Sequence, residues 1–458
     1  MRTLLPLQLA VVIALCAWLW IKSTEVDPLP EWRQGELVVI VPPLEMETEN
    51  AIESELAELF ARQLQVKLRL VPLQAETALP SLAEHQAHMA TGVISSSDYA
   101  LRFSMSYQTL DELLICHGAT PTSLDQLAGR KLVVAAGSPQ EIALRKVQRI
   151  HEELNWRSRS KSSPAELLEE VATGTLDCTV ANEEQLATER NFYPQLGNAL
   201  DLGTPSELSW AFPASGDDKL YYEAQRFFSR IKQDNTLLHL IDRYYGYNER
   251  IAAPDAEAFI AKARTLLPRY RHWFEEAADL TGIEWQLLAA LAYRESMWDP
   301  NATSYTNVRG MMMLTENTAD QMGVENRLDP HASILAGARY LQQLKEQLPL
   351  RIREEDRMWM ALAAYNQGMG HLEDARILAS QSGLNPDVWS DVKRMLPLLS
   401  RPSVYKKTRR GKARGGEAVV LVETVRLYYD MLKRLDSKES LYLLPSFGQI
   451  GIIGRLTN

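Results

Sequence analysis

The first half of the chain alternates between two patterns of hydrophobic and polar residues. A continuous apolar run at residues 37–41 precedes a segment whose apolar side chains recur at helical spacing, and an alternating strand pattern follows at residues 66–71. Further strand-like runs lie at residues 113–116, 132–136 and 176–181. This alternation of strands and helices predicts an α/β domain.

A different pattern begins near residue 256, where strand signals nearly vanish. Apolar residues now recur every three to four positions between breaks rich in glycine or proline, which predicts an all-helical domain. The predicted helices are 256–277, 283–296, 333–347, 355–366, 388–399 and 417–435. The short stretch at 248–255 is typical of a linker, and the glycine-containing end of the chain predicts a loosely attached tail.

The amino terminus carries an almost wholly apolar run at residues 4–21, between Arg2 and Lys22. The length of this run lies between that of a secretory signal and that of a minimal membrane-spanning helix. Residues 1–24 are therefore predicted to be a signal peptide or a retained membrane anchor. No other stretch of the sequence is long enough to span a bilayer, so the remainder is expected to be exported to the periplasm.

Composition narrows the possible functions. A length of 458 residues suggests two or three domains, and 49 Lys+Arg against 59 Asp+Glu give a net charge of −10. This negative charge makes nucleic acid a poor default partner. The three cysteines show no metal-site spacing, so neither a metal nor a cofactor is expected. Cys116 and Cys178 could pair in an oxidising compartment, but the sequence leaves their separation open.

The predicted helix at 283–296 ends in a candidate general acid. Leu288, Leu291 and Glu295 share one face, so the carboxyl group continues an apolar surface at the end of the helix. Desolvation and the helix carboxyl terminus both favour the protonated acid near neutral pH, as a general acid requires. The alternative is an ordinary helix-end glutamate that pairs with Arg294 or is exposed.

Three strings around this glutamate carry a resemblance. Glu295-Ser296 is followed by Arg309-Gly310-Met311-Met312-Met313 and then by Ala363-Ala364-Tyr365-Asn366-x-Gly368. Their order and intervals resemble the lysozyme-like domain of the soluble-type lytic transglycosylases. With the apolar amino terminus and the α/β half, nearly the whole chain, except the tail, resembles the membrane-bound lytic transglycosylases.

The α/β half has a resemblance of its own. Its order of elements, together with Phe103-Ser104-x-x-Tyr107, resembles the extracellular solute-binding proteins that capture amino acids between two lobes. That family's carboxylate-binding arginine is replaced by Ser97. The resemblance implies a regulatory ligand, a muropeptide or an amino acid, near Ser138 and Asn182. Plain helix capping is the alternative for the Gly137-Ser138 turn.

The expected fold is therefore a two-lobed α/β domain like a periplasmic binding protein at 25–255, then an all-α lysozyme-like domain at 256–436 and a tail at 437–458. The resemblance implies that Glu295 is the single catalytic acid. It also implies substrate contacts in the groove from Ser304, Met312, Met313, Tyr365, Asn366 and Glu417. Met313 stands where many relatives have glutamine.

Lytic transglycosylases cleave peptidoglycan glycan strands with one carboxyl group, because the substrate's own 6-hydroxyl replaces water. The resemblance thus implies 1,6-anhydromuramoyl products and an enzyme attached peripherally to the periplasmic face of the outer membrane. A hydrolytic muramidase and a non-enzymatic wall or solute receptor remain as alternatives. For the hydrolytic muramidase, the nearby Asp299 could supply the second acid, although its Trp-Asp-Pro setting is typical of a turn.

Overall fold

The computed structural model describes residues 31–32, 35–43, 51–95, 99–119, 121–215, 218–246, 253–304 and 307–443. The predicted signal or anchor, Ser97, most of the predicted linker and the end of the tail lie outside these residues. Within the described ranges, no helix combines the length and the apolar character needed to cross a bilayer.

Eleven strands and seventeen α-helices occur in the part of the chain that the structure describes. The strands are β1 Glu36–Val41, β2 Lys67–Pro72, β3 Met89–Ile94, β4 Leu101–Phe103, β5 Gln108–Leu110, β6 Glu112–Cys116, β7 Val133–Ala135, β8 Arg157–Arg159, β9 Cys178–Asn182, β10 Leu200–Asp201 and β11 Ser206–Pro213. The first helices are α1 Ala51–Leu64, α2 Ala75–Ala83, α3 Pro139–Gln148, α4 Pro164–Thr173, α5 Glu183–Arg190, α6 Asp218–Gln233 and α7 Thr236–Tyr245. The remaining helices are α8 Ala253–Thr265, α9 Arg271–Thr281, α10 Trp285–Ser296, α11 Glu316–Met322, α12 Pro330–Glu346, α13 Glu354–Gln367, α14 Met369–Gln381, α15 Trp389–Met395, α16 Pro402–Tyr405 and α17 Gly415–Leu443.

The chain divides into two compact units, and the first comprises residues 1–110, 136–143 and 205–231. Its sheet has the order β2-β1-β3-β11-β4, and β5 also pairs with β11. Strand β1 runs parallel to β2 and β3, whereas β11 is antiparallel to its neighbours. Val38 and Ile40 of β1 pack with Leu79 and Leu82 of α2, and the alternate residues Leu37, Val39 and Val41 are buried as well. Both faces of β1 are therefore enclosed, which explains why the run at 37–41 is apolar throughout.

The second unit comprises residues 111–135, 144–204 and 232–458. It begins with an antiparallel sheet, β10-β6-β9, and a parallel pair, β7-β8. Cys116 and Cys178 face each other across β6 and β9 and form a disulfide, with their Cα atoms 4.1 Å apart. The structure thus settles the pairing that the sequence left open, and the predicted α/β architecture is confirmed in both units.

The helices from α8 onward enclose one hydrophobic core, which runs from Ala256 to Leu432 and confirms the predicted all-helical domain. The single helix predicted at 256–277 is wrong, because α8 ends at Thr265 and a 3-10 turn precedes α9. Pro268 lies in this turn, and proline cannot donate the backbone hydrogen bond that would continue α8.

Three helices of this domain were not predicted, namely α11, α14 and α16. All three are short or begin directly after another helix, so their periodicity is hard to detect in the sequence. The last helix is also longer than predicted. It continues to Leu443, well into the segment assigned to the tail.

Candidate active site

Helix α10 places Glu295 in its last turn. Its side chains from Leu287 to Tyr293 are buried, and Met297 ends the helix in a left-handed conformation with φ 54°. Trp298, also left-handed at φ 60°, is fully buried and donates a hydrogen bond of 2.8 Å from Nε1 to the carbonyl of Ala289. The chain therefore folds back on α10 immediately after Glu295.

Glu295 is only partly exposed, and burial raises the pKa of its carboxyl group to about 7. The positive charge of Arg294 lowers the pKa, but burial has the larger effect. Among the described residues, the Glu295 carboxylate has no salt-bridge partner, and the Arg294 side chain is exposed. The raised pKa agrees with the predicted general acid and disagrees with the alternative of a paired helix-end glutamate.

The turn that follows Gly310 is held against two helices. A Cβ on Gly310, at φ +85°, would lie 1.8 Å from the carbonyl oxygen of Arg327, so only glycine fits here. The Ser296 hydroxyl of α10 lies 2.8 Å from the carbonyl oxygen of Met311. The backbone N–H of Met312 donates to the Ser333 hydroxyl of α12 at 3.1 Å. Ser296 and Ser333 therefore fix the turn, although neither was predicted as a site residue.

The two methionines predicted to contact the sugar differ in exposure. Met312 is fully buried and packs against Gly337 of α12, where an added Cβ would lie 2.7 Å from its side chain. The expected sugar contact by Met312 does not match this placement, because its side chain belongs to the core. Met313 is partly exposed, with φ 47°, and is the side chain of this turn that solvent reaches.

Helix α13 brings Tyr365 to the same turn. The Tyr365 hydroxyl donates a hydrogen bond of 2.7 Å to the carbonyl oxygen of Met312. Burial and then the charge of Glu295 raise the pKa of Tyr365 well above its usual range. The structure therefore brings Tyr365 and Glu295 together. Tyr340 of α12, a residue that was not predicted, lies with its ring 5.4 Å from that of Tyr365.

Two more of the predicted groove residues, Asn366 and Ser304, lie close in sequence to Tyr365 and to Gly310. Asn366 is exposed at the end of α13. Ser304 is partly buried in the loop before Gly310, where its hydroxyl accepts a hydrogen bond of 3.1 Å from the backbone N–H of Val308.

Glu417, the sixth predicted groove residue, opens the last helix of the domain. It lies on the surface in the first turn of α17 and pairs with Arg414 at 3.3 Å. The buried glutamate of α17 is Glu423, which accepts a hydrogen bond of 2.7 Å from Trp389 Nε1 and one of 3.1 Å from Arg426.

The two residues predicted near a regulatory ligand act as helix caps. The Ser138 hydroxyl accepts a hydrogen bond of 3.2 Å from the backbone N–H of Glu141, whose carboxylate accepts one of 2.7 Å from Gly137. Asn182 forms a reciprocal capping box with Gln185. This geometry matches the capping alternative, because the donors and oxygens are used within the turns themselves.

Glu295, with its raised pKa, Tyr365 and residues 310–313, called the methionine turn below, therefore lie together in one all-helical core. The profile of the Transglycosylase SLT domain matches residues 272–388, and that of the bacterial extracellular solute-binding proteins, family 3, matches residues 40–247. Fold and site thus define a lytic transglycosylase that carries a solute-binding-type domain.

Two relatives extend the match to most of the chain. The membrane-bound lytic murein transglycosylase F of Methylobacillus flagellatus is 44% identical over 406 residues, 86% of each chain. That of Nitrosospira multiformis is 45% identical and covers 90% of this chain and 89% of its own. The chain belongs to the family of membrane-bound lytic murein transglycosylases F. It is a lyase, and its substrate class is peptidoglycan.

A solved structure is similar to the α/β half. An amino acid ABC transporter substrate-binding protein from Streptococcus pneumoniae, bound to L-arginine, is 22% identical with a TM-score of 0.41. The match covers 47% of this chain and 96% of that chain.

Proposed function

We propose that this chain cleaves the β-1,4 bonds between N-acetylmuramic acid and N-acetylglucosamine without consuming water. Glu295 first donates its proton to the glycosidic oxygen, which leaves with the electrons of the broken bond. The Glu295 carboxylate then accepts the proton of the muramic acid 6-hydroxyl, whose oxygen attacks the anomeric carbon. The product carries a 1,6-anhydromuramoyl end, and Glu295 is again protonated.

The observation that carries this proposal is the pKa of Glu295. A glutamic acid with a pKa of about 7 is present both as acid and as carboxylate near neutral pH, so it can serve in both steps. Asp299, the nearest acid in sequence, is exposed and accepts a hydrogen bond of 2.9 Å from the backbone N–H of Asn301 in its own turn. This geometry favours the transglycosylase over a hydrolytic muramidase, which normally needs two acids.

The remaining groove residues bind and position the glycan in this proposal. Tyr365 holds the methionine turn through its hydroxyl and lies beside Glu295, so we assign it a positioning role. Met313 and Asn366 present partly or fully exposed side chains next to it, and we infer that they contact the sugar. Ser304 is assigned to the same groove on the resemblance alone.

Two substitutions test the assignment of the acid. Glu295→Gln keeps the shape of the side chain but removes the transferable proton, so cleavage of purified sacculi should fall by a factor of about 10² to 10⁴. Asp299→Asn is the matched control and should retain most of the activity. More than about one per cent of activity in Glu295→Gln, or an inactive but folded Asp299→Asn, would contradict the proposal.

We also propose that the α/β domain binds a small wall-derived ligand, such as a stem peptide, and changes the activity of the catalytic domain. The support comes from contacts inside the second unit. Arg434 of α17 and Glu189 of α5 form a buried two-pronged salt bridge with distances of 2.7 and 2.8 Å. The Arg434 guanidinium also lies 3.9 Å from the ring centre of Phe192.

A second set of contacts joins α7 to the catalytic domain. His239 Nε2 lies 3.2 Å from the carboxylate of Asp391 in α15, and the Arg426 guanidinium donates to the carbonyl oxygen of Arg243. These polar contacts couple the positions of α5 and α7 to those of α15 and α17. A ligand that moves α5 or α7 would therefore also move the helices of the catalytic domain that contact them.

Calorimetric titration with muropeptides and free stem peptides, paired with cleavage assays, tests this regulation. We expect at least one wall fragment to bind and to change the cleavage rate, because coupling requires differential affinity for two states. Glu189→Gln should retain binding but weaken the rate change. Failure of every fragment to bind, or binding with an unchanged rate, would leave the domain as a spacer.

We place the enzyme peripherally on the periplasmic face of the outer membrane, with the catalytic domain at 256–436 and the α/β domain at 25–255. The names of the relatives support an attachment to membrane, and the disulfide is typical of an oxidising compartment. The catalytic core from Ala256 to Leu432 supports the domain boundary. Fractionation of inner and outer membranes would test the location, and recovery in the cytosol would contradict it.

A further inference from the structure

The loop at residues 401–414, called the basic loop below, joins the 3-10 turn Leu396–Ser400 to α17. It carries seven cations, all of them exposed: Arg401, Lys406, Lys407, Arg409, Arg410, Lys412 and Arg414. Arg414 pairs with Glu417, whereas within the described ranges the other six side chains have no acidic partner. The loop is therefore a surface of uncompensated positive charge on a chain whose net charge is −10.

Hydrogen bonds hold the backbone of the basic loop in one conformation. The buried carboxylate of Asp374 in α14 accepts the backbone N–H groups of Arg409 at 3.2 Å and Arg410 at 2.8 Å. Farther along, the N–H of Ala413 donates to the carbonyl oxygen of Leu399 at 3.1 Å. A backbone that is already held by such hydrogen bonds loses less conformational entropy when a ligand binds. These bonds therefore favour a binding surface over a mobile, solvated loop.

The basic loop contacts the start of α14, the helix that follows α13. Helix α14 begins at Met369, directly after the turn that ends α13 and follows Tyr365 and Asn366. The Arg410 side chain lies against Gly370, where an added Cβ would be 2.7 Å from its Nε atom. The charge of Arg410 therefore lies against the start of α14, which follows Tyr365 and Asn366 in the chain.

We propose that the basic loop binds the carboxylates of the stem peptides attached to the glycan strand. The inference rests on the proposed function and names a further recognition site for that substrate. Stem peptides are attached to the lactyl groups of muramic acid and carry free carboxylates. Exposed lysine and arginine side chains can bind these carboxylates by charge-assisted hydrogen bonds. The contact of Arg410 with the start of α14, close in the chain to Asn366, favours this occupant over an anionic membrane, which needs no contact near the proposed sugar-binding residues.

A charge-neutralised variant tests the proposal. Lys406→Gln/Lys407→Gln/Lys412→Gln leaves the two arginines anchored at Asp374 and removes three exposed charges. Cleavage rates are measured on glycan strands that carry stem peptides and on the same strands after an amidase has removed the peptides. The ratio of the two rates should fall about fivefold in the variant, mainly through KM, while the rate on peptide-free strands stays within about twofold.

Arg264→Gln/Arg269→Gln, which removes two exposed charges elsewhere in the catalytic domain, is the matched control and should leave the ratio unchanged. Added salt should lower the ratio of the wild-type protein but not that of the lysine variant, because exposed charges are screened. These results would support a peptide-carboxylate site.

Two results would overturn the proposal. The first is an unchanged ratio in the lysine variant; if this variant also loses binding to vesicles of phosphatidylglycerol and phosphatidylethanolamine, the basic loop is a membrane surface. The second is a wild-type protein that cleaves neither form of the strands, a result that would overturn the proposed function itself and this inference with it.

Discussion

Glu295 combines a partly buried position at the end of an apolar helix with the absence of a salt-bridge partner among the described residues. Burial raises its pKa from 4.5 to about 7, and the charge of Arg294 only partly offsets this effect. The proton is therefore held by the environment and not by a hydrogen-bond acceptor. A general acid in this state can release its proton to substrate without first breaking a salt bridge.

The pH dependence of activity follows from this pKa. The first step needs protonated Glu295, so kcat/KM should fall about tenfold for each pH unit above about 7. A pH-rate profile on soluble glycan strands measures this fall directly. A profile that stays level to pH 9 would show that the proton comes from another group.

The same pKa makes a prediction about stability. A pKa raised on folding stabilises the folded state below about pH 4.5, and this contribution is lost as the pH rises through 7. Glu295→Gln should therefore be more stable than the wild-type protein at pH 8, by about 1–3 kcal/mol, with little difference at pH 4. Thermal unfolding of both proteins at the two pH values tests this prediction. An equal difference in stability at both pH values would contradict the burial of the Glu295 carboxyl group.

The sequence could predict Glu295 because a carboxyl group on an apolar helix face is visible in the spacing of three residues. It could not rank Glu417 against Glu423, since both occur on one helix and only packing shows which is buried. The burial of Met312 could not be predicted for a similar reason. Its burial depends on the close approach of Gly337, which is distant in sequence.

At the scale of elements, helices α10, α12 and α13 meet at the methionine turn. Each helix contributes one side-chain hydroxyl that forms a hydrogen bond with the backbone of the turn, from Ser296, Ser333 and Tyr365 respectively. Strands and long helices of this chain could be predicted because their periodicity is strong. The break at Pro268 and the helices that follow other helices directly could not, because the local sequence remains compatible with a continuous helix.

The packing of α12 on this turn predicts the effect of one added methyl group. Gly337→Ala places a Cβ 2.7 Å from the Cβ and Cγ atoms of Met312, so either the turn or α12 must shift. We expect a loss of about 1–3 kcal/mol in the free energy of unfolding and a lower kcat. Denaturant unfolding and cleavage assays measure both.

Gly416→Ala is the matched control for this change. Its nearest non-local atom lies 4.0 Å from the built Cβ, so alanine should fit in α17 and leave activity unchanged. Equal behaviour of the two alanine variants would contradict the close approach of Gly337 to the turn.

At the scale of the whole molecule, the second unit joins part of the α/β domain to the catalytic core through buried charges. Arg434→Met would leave Glu189 buried without its partner, which should destabilise the second unit by about 3–5 kcal/mol. The double variant Arg434→Met/Glu189→Leu should recover much of this loss, because it removes both charges. Calorimetric unfolding of the three proteins tests the interface, and a wild-type-like single variant would contradict it.

The central claim is that Glu295 acts alone and that the sugar's own hydroxyl replaces water. Digestion of purified sacculi in heavy-oxygen water, followed by mass spectrometry of the products, tests it most directly. The account predicts muramoyl ends that are lighter than a hydrolysed end by one water and contain no heavy oxygen. Reducing ends that carry heavy oxygen would contradict it and identify a hydrolase.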